Sequence, residues 1–206
     1  GESGAAQRLE TTPRHGEYVM VDVPGRDGPV NTFVVYPERS EAAPVVIVIH
    51  EIYAMTDWIK SVADQLAADG FIALAPDLLT GKAPGGGGTA DFPDRDAVVG
   101  AIRSLPEDEV VASLNAVRSY GIGLPASTDR SATVGYCWGG STSFMYATRQ
   151  LDLDAAVVYY GTSPEGMEAY RNIGAAVLGL YGGDDNRVNS TIPRAEEAMS
   201  ELGKTY

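Results

Sequence analysis

A single cysteine, Cys137, stands in these 206 residues, and the chain has only two histidines, His15 and His50. One cysteine excludes an intramolecular disulfide and a thiolate-rich metal centre. The two histidines lack the spacing of a ligand pair, so no metal and no cofactor are expected. Basic residues are scarce too: 15 Lys and Arg against 28 Asp and Glu leave a net charge of −13. Such a surface is repelled by phosphate backbones and anionic lipid, which argues against nucleic acid or a membrane as partner. No apolar run approaches the ~20 residues that a membrane-crossing helix needs. A start at Gly1-Glu2-Ser3-Gly4 fits the end left by signal cleavage as well as a cloning remnant. The compartment therefore stays open, cytoplasmic or periplasmic and secreted.

What is present is a hydrophobic content of 44%, enough at this length for one domain, residues 1–206, with a substantial core. Residues 1–16 read as an N-terminal arm. Alternating segments Glu17–Val23 and Val30–Tyr36 flank Pro24-Gly25-Arg26-Asp27-Gly28 and predict an antiparallel hairpin. Pro44–His50 is an unbroken apolar run, as expected of a strand covered on both faces. Asp57–Asp69 has a helical period ending at Gly70, and Phe71–Ala75 is a second buried strand. The glycine-rich segment 79–104 predicts a mobile loop over the C-terminal edge of the sheet. Its Gly81-Lys82 pair fails as a phosphate loop, because Ala83 replaces the required hydroxyl. A helix from Pro106 ending at Gly121, a strand to Tyr136, a helix over Ser141–Arg149, strands Ala155–Tyr160 and Ala175–Tyr181, and a helix from Pro193 follow. The sum is a doubly wound, mostly parallel α/β sheet with an N-terminal antiparallel hairpin.

Three polar residues interrupt this pattern where strands end, which is where such sheets bind ligands. Gly135-Tyr136-Cys137-Trp138-Gly139 has the spacing of a nucleophile elbow with cysteine as the nucleophile. A thiol on that turn stands at a helix N-terminus, which favours negative charge; the plainer alternative is a buried cysteine packing as a small hydrophobe. Glu51 ends an apolar strand and is placed to take the thiol proton, or else is a solvent-facing loop acid. His50, its neighbour on the strand, is then expected to turn away, toward packing or a backbone hydrogen bond. Asp184 and Asp185 follow the Ala175–Tyr181 strand; either suits the orienting of an imidazole, and either suits a turn.

His50-Glu51-Ile52-Tyr53, Phe71–Leu78, Gly135–Gly140, Tyr159-Tyr160-Gly161 and Gly182–Val188 stand in the order found in the dienelactone hydrolase family of α/β-hydrolases. The chain resembles that family from about Glu17 onward. The resemblance implies a Cys-Asp-His triad in which Cys137 is the nucleophile and Asp185, rather than Asp184, is the acid. It implies that Glu51 exchanges a proton with the resting thiol, and that the backbone N–H groups of Ile52 and Trp138 form the oxyanion hole. No histidine follows His50, whereas the family's histidine lies beyond one further strand. The chain is therefore expected to belong to a longer protein with an added edge strand, histidine loop and terminal helix. The implied activity is hydrolysis of a small ester or lactone. Tyr53, beside the oxyanion position, is a candidate to line the pocket, and Arg95 is a candidate to pair with a substrate carboxylate or else an exposed loop arginine that binds nothing. A general carboxylesterase and a non-catalytic small-molecule binder are the alternatives. A glutamine amidotransferase, which also presents a cysteine on an α/β sheet, is disfavoured by Ser141-Thr142 after the elbow. The assembly is expected to be a monomer or small homo-oligomer.

Overall fold

A computed structural model describes residues 2–206, with side chains described from Gly4 onward. A helix, α1 (Glu2–Thr11), opens the chain, where sequence reading had only an arm. The predicted hairpin follows as β1 (Gly16–Val21) and β2 (Val30–Val35), paired antiparallel from Gly16↔Val35 to Val21↔Val30. Then come β3 (Ala43–Ile49), α2 (Asp57–Ala68) and β4 (Ile72–Pro76). Next are α3 (Arg95–Ser104), α4 (Glu107–Ile122), β5 (Ser127–Tyr136) and α5 (Trp138–Arg149). The chain continues through β6 (Ala155–Tyr159), α6 (Met167–Tyr170), β7 (Ala176–Leu180), α7 (Asn186–Asn189) and α8 (Ile192–Glu201). The seven strands form one sheet in the order β1-β2-β4-β3-β5-β6-β7, with β4, β3, β5, β6 and β7 parallel.

The alternation of side chains along β3 and β4 explains why both read as continuous apolar runs. Val45, Ile47, Ile49, Ile72 and Leu74 face a core built with Val110, Leu114 and Val117 of α4 and Phe144 of α5. Val46, Val48, Ala73 and Ala75 face the other way, against Ile59, Ala63 and Ala67 of α2. Gly121 does not end α4. It lies inside the helix, where a Cβ would come within 2.8 Å of Val45 Cγ1, so glycine lets the helix close onto the sheet. Past α8 the chain returns to the sheet, and the Val177 N–H donates to the Thr205 carbonyl at 3.0 Å.

Segment 79–104, expected to be a loop, is helical in its last part, α3 covering Arg95–Ser104. Asp77, at the end of β4, accepts from the Leu79 N–H (3.0 Å), the Thr89 N–H (2.8 Å) and the Thr89 hydroxyl (2.7 Å). Asp94 then caps α3 by accepting from the Ala97 N–H at 2.8 Å. Val98 and Ile102, one helical turn apart, bury against Ala54 and Leu79, with Trp138 packed alongside. The segment is pinned over the sheet edge by a carboxylate and a small apolar cluster. Among the described residues no helix is long and apolar enough to cross a membrane.

Candidate active site

The parallel strands deliver their C-terminal ends to one crest. His50 and Glu51 follow β3, Cys137 follows β5, Tyr160 follows β6, and the Gly182–Asp185 stretch follows β7. Cys137 has φ 55° and ψ −113°, a region that non-glycine residues enter at a cost of about 1–3 kcal/mol. Two features hold it there. Its N–H donates to the Tyr159 carbonyl at 3.0 Å, and its own carbonyl accepts the Ser141 N–H at 3.1 Å. The flanking glycines allow the closeness: a Cβ on Gly135 would run into the Gly139 carbonyl, and one on Gly139 into the carbonyls of Ile49 and His50. The elbow is thus wedged against the end of β3. Cys137 is partly exposed and caps α5, whose first N–H groups have no partner within the helix.

Glu51 opens a tight turn in which the Ala54 N–H donates to the Glu51 carbonyl at 3.0 Å. Its carboxylate reaches forward within that turn, and Oε2 accepts the Tyr53 N–H at 2.9 Å. The Tyr53 ring, 41% exposed, lies beneath the guanidinium of Arg95 at 4.9 Å. Arg95 is the first residue of α3 rather than part of a loop, so a packed helix fixes its backbone. Tyr160 completes the group. Its backbone is left-handed at φ 41°, and its N–H donates to the Leu180 carbonyl at 2.8 Å. Burial raises the pKa of its hydroxyl, and the charges at Cys137 and Glu51 raise it further. The Tyr160 hydroxyl therefore lies within electrostatic range of both Cys137 and Glu51.

His50 turns away from this group. It is fully buried, stacked on the Trp138 ring at 5.7 Å and 16°. Its Nδ1 lies 3.0 Å from the Glu51 carbonyl, and its Nε2 accepts the Leu78 N–H at 3.3 Å. Burial lowers its pKa, against the opposing pull of the Asp77 carboxylate.

The profile of the dienelactone hydrolase family matches residues 30–206. The chain belongs to the dienelactone hydrolase family. A protein of Salmonella typhimurium, provisionally named carboxymethylenebutenolidase, is 31% identical over 180 residues, covering 82% of this chain and 65% of its own length. One from Methylorubrum extorquens with the same provisional name is 30% identical over 214 residues, covering 98% of this chain and 72% of its own. The chain thus spans about two thirds of the length of these curated relatives. Among solved structures, a provisionally named dienelactone hydrolase from Klebsiella pneumoniae superposes with a TM-score of 0.80 at 23% identity, covering 94% of this chain and 83% of that one. The dienelactone hydrolase-like promiscuous phosphotriesterase P91, from metagenomic libraries, gives 0.79 at 23% identity, covering 93% and 78%. These two superpositions establish the α/β fold.

On this dienelactone hydrolase scaffold the sequence-predicted residues divide into those in contact and those apart. Glu51, Tyr53 and Arg95 meet, and Trp138 adjoins them through His50. Ile52 lies within the Glu51 turn and Trp138 opens α5, so both N–H groups belong to segments bordering Cys137. Asp185 Oδ1 accepts the Val188 N–H at 3.1 Å and caps α7, so this carboxylate oxygen is engaged by its own loop. Asp184 is exposed. The remaining histidine, His15, stacks on Tyr36 at 5.8 Å at the hairpin edge of the sheet. Among the described residues no group of three potential metal ligands gathers. Tyr160 is the residue that sequence reading passed over. Tyr159-Tyr160-Gly161 marked a strand end, but nothing in it announced the left-handed backbone at Tyr160 (φ 41°).

Proposed function

We propose that the crest is an acyl-transfer centre that hydrolyses a small ester or lactone through Cys137. The observation that carries this is Cys137 held in a left-handed backbone at the head of α5, on the crest where Glu51 ends β3 and Tyr160 ends β6. Glu51 accepts the thiol proton as Cys137 Sγ attacks the substrate carbonyl. The resulting oxyanion accepts from the N–H groups of Ile52 and Trp138, each donor contributing on the order of 3 kcal/mol in such sites. Collapse breaks the bond to the alkoxide or enolate and leaves a thioester on Cys137. Water then hydrolyses the thioester, with Asp185 orienting the histidine that the family supplies for this step. Tyr53 lines the approach, and the Arg95 guanidinium above it suits a substrate that carries its own carboxylate.

The test is incubation with p-nitrophenyl acetate, following nitrophenolate release and locating the acetyl group by peptide mass. The expected result is acetylation at Cys137 and its loss in Cys137→Ala; undiminished release by that variant overturns the nucleophile assignment. Cys137→Ser is expected to be poor as well, because a carboxylate strong enough to deprotonate a thiol is too weak for a hydroxyl. A second reading is a small-molecule binder without turnover. Saturable ester binding with an unmodified cysteine would support it.

A further inference from the structure

We infer that His50 is a positioning residue that aims the Ile52 N–H at the oxyanion by holding the Glu51–Ile52 peptide from below. The inference rests on the acyl-transfer reading and extends it to a residue outside the reacting group. In a trans peptide the carbonyl and the N–H point to opposite sides. Two donors hold the Glu51 carbonyl: the Ala54 N–H at 3.0 Å and His50 Nδ1, also at 3.0 Å. Both come from fully buried residues. The carbonyl is therefore directed into the protein, and the N–H of the same peptide is directed the other way, toward the crest. A flipped peptide would strand two buried donors and set a carbonyl oxygen where the oxyanion forms.

The ring can donate from Nδ1 because of what it meets on its other side. The Leu78 N–H points at Nε2 at 3.3 Å, so Nε2 must present its lone pair and Nδ1 must carry the proton. Burial disfavours the imidazolium, in which Nε2 would also be a donor and would clash with Leu78. The ring plane is fixed by stacking on Trp138, whose own N–H is the second oxyanion donor. Gly139, where a Cβ would strike the His50 carbonyl, brings the elbow against the same residue. One neutral imidazole thus braces both halves of the hole without touching substrate.

The experiment compares two reactions of Cys137 in the full chain. Acylation by p-nitrophenyl acetate passes through an oxyanion; alkylation by iodoacetamide does not. His50→Phe keeps a buried ring against Trp138 and removes both nitrogens, while His50→Asn returns an N–H donor near the position of Nδ1. Acylation by His50→Phe is expected to slow about 10- to 100-fold. Alkylation should stay within about twofold, the half-saturating ester concentration should be unchanged, and His50→Asn should recover most of the loss. Acylation by His50→Phe close to the parent rate, or acylation and alkylation falling together, overturns the positioning role. A parent protein that is alkylated but never acylated at Cys137 overturns the acyl-transfer reading, and this role with it. Should His50→Phe not fold, the 15N imidazole spectrum of the parent decides. Protonated Nδ1 with unprotonated Nε2 is expected, and the opposite tautomer overturns the inference.

Discussion

Glu51 serves the proposed site twice, through its carboxylate and through its carbonyl. The carboxylate accepts the Tyr53 N–H, and the carbonyl accepts from His50 and Ala54, so both ends of the residue are held. That division predicts what Glu51→Gln does. An amide oxygen still accepts the Tyr53 N–H and keeps the turn, but the side chain no longer takes a proton. Alkylation of Cys137 by iodoacetamide at neutral pH is expected to slow by about 10-fold or more, with folding stability little changed, since general bases contribute 10²–10⁴-fold. Equal alkylation rates in parent and variant across pH 6–9 (an approximate range spanning the ordinary thiol titration) would remove Glu51 as the base.

At the scale of elements, the elbow is the least tolerant junction. A methyl group on Gly139 has no flexible neighbour to displace, because it meets the backbone carbonyls of Ile49 and His50. Gly139→Ala is therefore expected to cost at least about 3 kcal/mol in urea unfolding, the upper end for forced overpacking; a smaller loss would mean that the end of β3 can yield. This junction was legible in the chain because glycine spacing around a polar strand end is a local signal. The strands were legible for a related reason, since each apolar run faces a packed layer. Four helices were not. α6 and α7 have four residues each, too few for a helical period to show. Of the described side chains in α1 only Ala5 is fully buried, which leaves almost no stripe to read. α3 sits behind a run of glycines and a proline, and its apolar contacts, Val98 and Ile102, gain meaning only once Ala54 and Leu79 fold beneath them. Cys137 and Glu51 break apolar patterns and so stand out. Tyr160 follows another tyrosine, and nothing in the alternation announces a backbone reversal.

For the whole molecule, the arrangement of charge sets how the fold responds to acid. Two buried groups change stability in different pH windows. His50 has a pKa lowered by burial, so the unfolded chain binds its proton more readily than the folded one. Its contribution is complete above the ordinary histidine value of about 6.5 and is lost as pH falls below that toward the folded value. Asp64 of α2 holds α1 and the following turn through Arg14 Nη2 at 2.7 Å and the Thr12 hydroxyl at 2.6 Å. Burial raises its pKa, but the hydrogen bonds from Arg14 and Thr12 outweigh it and leave the carboxyl below its ordinary value. Its contribution is present above the ordinary carboxylate range and is lost only as pH falls through the folded value. Acidification also relieves the self-repulsion of a chain with net charge −13, which works in the opposite sense and hides both losses in a single melting curve. Differences between parent and variant cancel that shared background. Asp64→Asn is expected to lower stability at neutral pH by about 1–3 kcal/mol, with the gap to the parent closing only below about pH 4. His50→Phe should instead change the slope of stability against pH just below about 6.5 and leave the lower window intact. Urea titrations of the three proteins at half-unit pH intervals check both, and a gap for Asp64→Asn that stays constant down to about pH 3 would show that the Arg14–Asp64 contact does not couple folding to protonation.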